Sequence, residues 1–260
     1  MSFSWFQLPT KKSGATKPPR PTTRSVDIDI DGQKRPVAVV ENPRTKRLTL
    51  RLMPGSAGLK LTVPPRTPER DIREFLNRNK AWAAARLSRL PDVIQLEEGA
   101  LVPFRGVEHL ICTSGQMRGI VKHQMVDNQH SLIVPGQPEH VARRLTDFFK
   151  KEARAALTER SHIHAKTLGV KIAGISIRDT TSRWGSCSSS RRLSYSWRII
   201  LAPPDVLDYL AAHEVSHLRE MNHSPRFWAH VKSICPHMET SKAWLRTNGA
   251  LLHAVGGVQS

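Results

Sequence analysis

The chain has 260 residues, 39% of them hydrophobic, with 40 Lys and Arg against 22 Asp and Glu and a formal charge of +18. That length and apolar content suit a globular protein with one sizeable core or two small ones, and exclude a fibrous or wholly disordered class. No run of eighteen apolar residues occurs, and the opening lacks the basic start, apolar stretch and small-residue cleavage site of a secretory leader, so neither a membrane span nor secretion is expected. The three cysteines, Cys112, Cys187 and Cys235, form no CxxC pair and point to a reducing, cytoplasmic compartment. The charge favours polyanions, which makes nucleic acid a candidate partner through a basic surface, although no helix-turn-helix, RNP or zinc-finger pattern accompanies it.

Residues 1–25 read as a disordered basic tail: Lys11, Lys12, Lys17, Arg20 and Arg24 are unopposed by acids and interrupted by Pro9, Pro18, Pro19 and Pro21. From residue 26 to 136 the chain reads as β-rich. Val26, Ile28 and Ile30 alternate strictly with acids and Asp31-Gly32 supplies a hairpin turn. Residues 37–40, 48–52 and 59–63 continue the strands, punctuated by Pro43 and Pro54-Gly55. A single helix is predicted over 68–90, with Ile72, Phe75, Leu76, Trp82, Ala83 and Leu87 at helical spacing and Pro91 ending it. Weaker strands follow within 100–134, and Gly136 to Pro138 resembles a joint. Residues 137–260 form the second region. It opens with a long amphipathic helix over 139–168 that stops at Gly169, then strands over 175–178 and 193–201 with a polar segment between them. Helices start at Pro203-Pro204 and run through 218, start again at Ser224-Pro225 and run to about 234, and end with one over 241–253. The fold class is α+β, a β-rich front half leading into a zincin-like, mostly helical rear half.

The chemistry concentrates in His213-Glu214-Val215-Ser216-His217. Residues four apart share a helix face, so His213 and His217 can present two imidazoles to one ion while Glu214 flanks it. Zn2+ accepts neutral imidazole nitrogens, and a carboxylate beside an attacking water can take its proton. An HExxH match by chance has a probability of a few per cent in a chain like this, so context matters. Val206, Leu207, Leu210 and Ala211 give the segment a buried face. His223, six positions beyond His217, is the nearest third ligand, and Glu239 is its rival. The metzincin pattern has the same spacing but a glycine midway, where this chain has Glu220. Asn222 is expected to take a left-handed conformation as the chain leaves the helix, with Ser224 capping the next one. His230 and His237 read as surface or structural histidines, and Cys187 as a buried thiol rather than a nucleophile. Phe227, Trp228, Val231 and Ile234 read as packing residues bracing the metal helix.

Four segments in order carry a family resemblance: Arg183-Trp184-Gly185-Ser186-Cys187-Ser188, then Trp197-Arg198-Ile199-Ile200-Leu201-Ala202-Pro203, then His213-Glu214-Val215-Ser216-His217-Leu218, then Asn222-His223-Ser224 with Phe227-Trp228. Together with Lys46-Arg47-Leu48-Thr49-Leu50 and Trp82 they resemble the YgjP-like metallopeptidases, a bacterial group related to the SprT and WLM minimal zincins. The resemblance implies that His213, His217 and His223 are zinc ligands and Glu214 the catalytic residue.

Arg183, Trp184, Gly185 and Ser186 have two readings, as a cleft-lining strand that offers its backbone to an extended peptide or as core cover with a tight glycine. The expected activity is peptide-bond hydrolysis of a peptide or protein substrate by a zinc-dependent enzyme. A metal-dependent nucleotide pyrophosphatase is the alternative enzyme, and a nucleic-acid-associated binding protein with a structural zinc is the alternative outside enzymes.

Overall fold

The structure is a computed structural model that describes residues 23–53, 58–88, 91–180 and 183–256. The basic start through residue 22, the Pro54-Gly55 break and Leu90 lie outside the described residues. The alternation at the front gives two strands, β1 (Thr23–Ile30) and β2 (Gln33–Glu41), paired antiparallel through Asp31 and Gly32 at φ 52° and 80°. Two positive φ values in a two-residue turn match the twist of the flanking strands. With β3 (Thr49–Leu52) and β4 (Leu59–Val63) they form a four-stranded sheet in the order β1-β2-β4-β3, where β2 and β4 run parallel.

The expected helix over 68–90 is two helices, α1 (Glu69–Arg78) and α2 (Lys80–Leu87). Asn79 divides them at φ −100° and ψ 9°, donating both its backbone N–H and its Nδ2 to Phe75 O. An Asn side chain that satisfies the carbonyl competes with helix continuation, and no periodicity argument registers it. Ile72, Leu76 and Ala83 close over the sheet's Val37, Val39, Leu59 and Leu61 to make one apolar core.

A second and larger core runs from Leu96 to Val255, across the Gly136 to Pro138 joint. It takes in the sheet β5 (Leu101–Phe104), β6 (Val107–Thr113), β7 (Lys122–Val126) and β8 (Gln129–Val134), ordered β5-β6-β8-β7. The helix α3 (Val141–Leu168) lies against it. Val141, Leu145, Phe149, Ala153 and Leu157 are all at most 1% exposed, a stripe in steps of four. Gly169 ends α3 at φ 63°, a conformation that costs a side-chain-bearing residue more.

The third sheet, ordered β10-β11-β9, joins β9 (Gly174–Arg178), β10 (Gly185–Cys187) and β11 (Arg192–Ser196). The strand expected over 193–201 stops at Ser196, and Trp197–Leu201 winds into a 3₁₀ turn in which every residue is buried. Trp197 stacks on Phe149 of α3 (centroids 5.9 Å, 2° between planes), and the buried Arg198 donates to Asp179 at 3.1 Å and to the Val255 carbonyl. Three more helices complete the chain: α4 (Pro204–Ser216), α5 (Pro225–Ile234) and α6 (Met238–Ala254). The architecture is α+β, with mixed sheets in front and helices behind. No helix among the described residues is long and apolar enough to cross a membrane.

Candidate metal centre

Helix α4 is buried along most of its length, which fixes its azimuth and so the direction in which its histidines point. Pro204 occupies the first turn, where the missing N–H costs no intrahelical bond. Asp208 ties the helix down: its carboxylate accepts from Arg160 Nε at 2.5 Å and lies 2.6 Å from His164 Nε2 of α3, with His237 Nε2 at 3.2 Å. Burial pushes the Asp208 carboxyl up, but the hydrogen bonds from His164 and Arg160 outweigh it and hold the group below its ordinary value. This brace was invisible in the sequence because its partners lie 48 and 44 residues away.

At the end of α4, His213, His217 and His223 bring ligand nitrogens within 4.8 Å of one another. His213 Nε2 and His223 Nε2 face each other at 3.1 Å. His217 Nδ1 lies 3.1 Å from Glu220 O, and since a carbonyl only accepts, Nδ1 carries the proton and Nε2 keeps its lone pair. Burial pushes the His213 imidazole down to about 3 and lowers His217 also, so both stay neutral. His213 Nδ1 is buried without a hydrogen-bond partner. A tetrahedral ion with bonds of 2.0–2.1 Å requires donor atoms separated by about 3.3 Å, so the His213–His223 separation fits such an ion closely. Glu239, the rival third ligand, belongs to none of the metal-competent groups among the described residues.

The turn from α4 back to His223 is built differently from expectation. Asn222 is not left-handed; the chain reverses through Leu218, Arg219 and Glu220, whose N–H groups bond Val215 O and Ser216 O. Tightening the last helical turn in this way satisfies its carbonyls without a positive φ. Ser224 then caps α5 by accepting from Phe227 N at 3.3 Å. Phe227 lies directly on the cluster, its ring 4.9, 4.4 and 4.8 Å from those of His213, His217 and His223. Trp228 flanks His213 and His223 at 5.7 Å. These aromatics pack in a core with Val231 and Ile234, as the sequence reading has it, and the same rings line the imidazole cluster.

Glu214 is 4% exposed, and burial drives its carboxyl up to about 8 against the opposing pull of Arg183. It lies beneath β10. A Cβ built on Gly185 falls 2.4 Å from Glu214 Oε1, so only a residue without a side chain lets the strand pass this close. Burial also raises the Cys187 thiol, with Glu214 reinforcing the shift, the opposite of an activated nucleophile. Trp184 turns away onto α6, stacked on His253 at 4.2 Å and touching Gly249. Arg183 is exposed, and with Arg178, Thr180, Gly185, Ser186 and Ser194 it lines a cleft of about 280 Å³.

A model of a family described as "YgjP-like, metallopeptidase domain" matches residues 46–248. The chain belongs to the YgjP-like family. The match takes in α4, His223 and the β10 segment, and it extends forward through β3, β4 and both front helices. Membership makes this a metallopeptidase domain, with a divalent metal and peptide or protein substrates implied. No curated protein matches the YgjP-like chain. It is similar to a solved structure, the metallopeptidase zymogen of Pyrococcus abyssi abylysin, at 18% identity and a TM-score of 0.33 over 36% of this chain and 94% of that one. A score that low supports no inference.

Proposed function

We propose that the chain is a zinc-dependent peptidase in which His213, His217 and His223 hold the metal and Glu214 is the general base. The observation that carries this reading is the convergence of three imidazoles beside a buried carboxylate at the end of one buried helix. A zinc ion held there would supply a Lewis acid for the scissile carbonyl and would lower the pKa of a bound water to about 7. His217, oriented by Glu220 O, and the neutral His213 present lone pairs. Glu214 takes a proton from the attacking water and returns it to the leaving amine. Its carboxyl is buried beside the cluster, and Arg183 draws it toward the ionised form that accepts a proton.

The substrate lies along β10. That strand is at the edge of its sheet, so one row of its backbone groups is free to pair with an extended peptide, and the cleft with Arg183 and Ser186 runs beside it. In this reading Gly185 lets the strand pass close over Glu214, while Trp184 anchors the strand to α6. The three cysteines are free thiols, which suits the cytoplasm.

Zinc-loaded protein incubated with a mixed peptide library and, in parallel, with a nucleoside triphosphate panel tests the assignment. Cleavage of peptides alone, abolished by Glu214→Gln, is expected. Release of phosphate or pyrophosphate without peptide cleavage makes the chain a nucleotide hydrolase instead.

A further inference from the structure

Sheet β5-β6-β8-β7 carries a second group of imidazoles that the peptidase reading does not use. His109 on β6, His123 on β7 and His130 on β8 have ligand nitrogens within 4.8 Å of one another. The register explains their meeting. Leu110 pairs with Ser131 in the parallel β6–β8 ladder, which sets His109 beside His130. His123 pairs with Leu132, two positions along β8 from His130 and so on the same face. That face also carries Ile111 and Leu132, both fully buried, so the cluster sits at the margin of the core. Its ring centroids are 4.6, 5.1 and 5.9 Å apart.

The polar atoms are left in an unusual state. His109 is 2% exposed, and its Nδ1 lies 2.8 Å from Val107 O. The carbonyl only accepts, so Nδ1 donates and Nε2 is left with a lone pair. That Nε2 is buried with no hydrogen-bond partner, and so is Nδ1 of His130. Buried polar atoms are rarely left in this state, and each asks for a partner. Phe104 closes one side, its ring 5.5 Å from His109 and 5.7 Å from His123. A donor set of three imidazoles, with no carboxylate among them, selects borderline transition ions such as zinc over magnesium or calcium.

We propose that His109, His123 and His130 form a second metal site, taking a divalent transition ion such as zinc and fastening the edge strand β7 to the core of its sheet. Strand β7 is exposed along its whole length and, among the described residues, pairs with β8 alone. A ligand from each of three neighbouring strands ties it back to the buried β6. The Val107 carbonyl plays the orienting part, holding His109 in the tautomer that offers Nε2. His123 is exposed, and its ring already lies 4.6 Å from that of His109. Three ligands leave a fourth position to water.

The test uses tag-free full-length protein, stripped by chelator, titrated with zinc alone and analysed for bound metal after gel filtration. Two ions per chain are expected. His123→Asn and His130→Asn each bind one, and the double variant His213→Asn/His217→Asn also binds one. Zinc raises the melting temperature of that double variant, and adding His123→Asn removes the rise. The exposed position of His123 keeps this variant folded. A wild-type chain that binds one ion regardless of His123→Asn, or two ions that His123→Asn leaves in place, overturns the proposal. A single ion lost by His123→Asn and kept by His213→Asn/His217→Asn upholds this site and removes the one on α4, so the two readings fail separately.

Discussion

Two groups of three histidines differ in how the chain encodes them. His213, His217 and His223 lie within eleven consecutive residues, and helix geometry brings the first two together before any tertiary contact forms. His109, His123 and His130 come from three strands, and only the pairing register puts them on one face. A helical metal site can therefore be read from spacing, whereas a sheet site becomes visible only once the strands are in order. The two also differ in what lies beside them. A buried carboxylate flanks the α4 cluster, while the sheet cluster is made of imidazoles against an aromatic wall. Under the two proposals, that difference separates a centre for acid–base chemistry from one that holds an ion in place.

The largest expected effect breaks the α4 centre at its carboxylate. Glu214→Gln keeps shape and hydrogen-bonding size but cannot take a proton, so peptide turnover falls by about 10²- to 10⁴-fold while bound zinc is unchanged. Single-turnover kinetics with metal analysis on the same sample checks both halves. Gly185→Ala comes next. Its methyl group meets the Glu214 carboxylate, which has to move. A displacement near 1 Å lowers kcat by about 10- to 100-fold, with a smaller change in KM and zinc content intact. Equal activity in Gly185→Ala shows that β10 does not set the position of Glu214.

His253 of α6 supports that strand from behind through its stack on Trp184. Burial holds the His253 imidazole down to about 4, with Arg198 adding to the effect and Asp179 opposing it. The unfolded chain takes up this proton near pH 6.5 and the folded chain only near 4, so the stabilisation is complete above pH 6.5 and shrinks as pH falls toward 4. The loss is on the order of 2 kcal/mol. Urea melts between pH 7 and 4 should show a steeper decline for wild type than for His253→Phe, which has no proton to take up. The smallest effect is at the sheet cluster. His123→Asn leaves peptide turnover within about twofold of wild type, since neither the proposed ligands nor the proposed general base on α4 change, and an equal loss of activity in both clusters erases the distinction between them.

Strict alternation made β1 and β2 legible, and the stop signal at Gly169 with the start signals at Pro204 and Pro225 placed the helices around the centre within a few residues. What stayed hidden has a common cause. The break at Asn79 depends on a side chain bonding a carbonyl four residues back, and the 3₁₀ turn at Trp197–Leu201 looks like a strand because every residue in it is apolar or buried. Asn222 reads as a left-handed cap on residue type, yet 3₁₀-like bonds at Leu218 and Arg219 had already reversed the chain. The Asp208 brace, the passage of Gly185 over Glu214 and the sheet histidines all join residues far apart in sequence. Local periodicity carries none of that information.

The central claim is that three histidines, with Glu239 outside the set, hold the ion on α4. The measurement is zinc per chain after dialysis against a weak chelator, for wild type, His223→Ala and Glu239→Ala, each in a His123→Asn background so that the sheet site is silent. One ion in the parent, a sharp loss in His223→Ala and full occupancy in Glu239→Ala are the predicted result. Retention of the ion by His223→Ala with its loss from Glu239→Ala contradicts the account and moves the third ligand to α6.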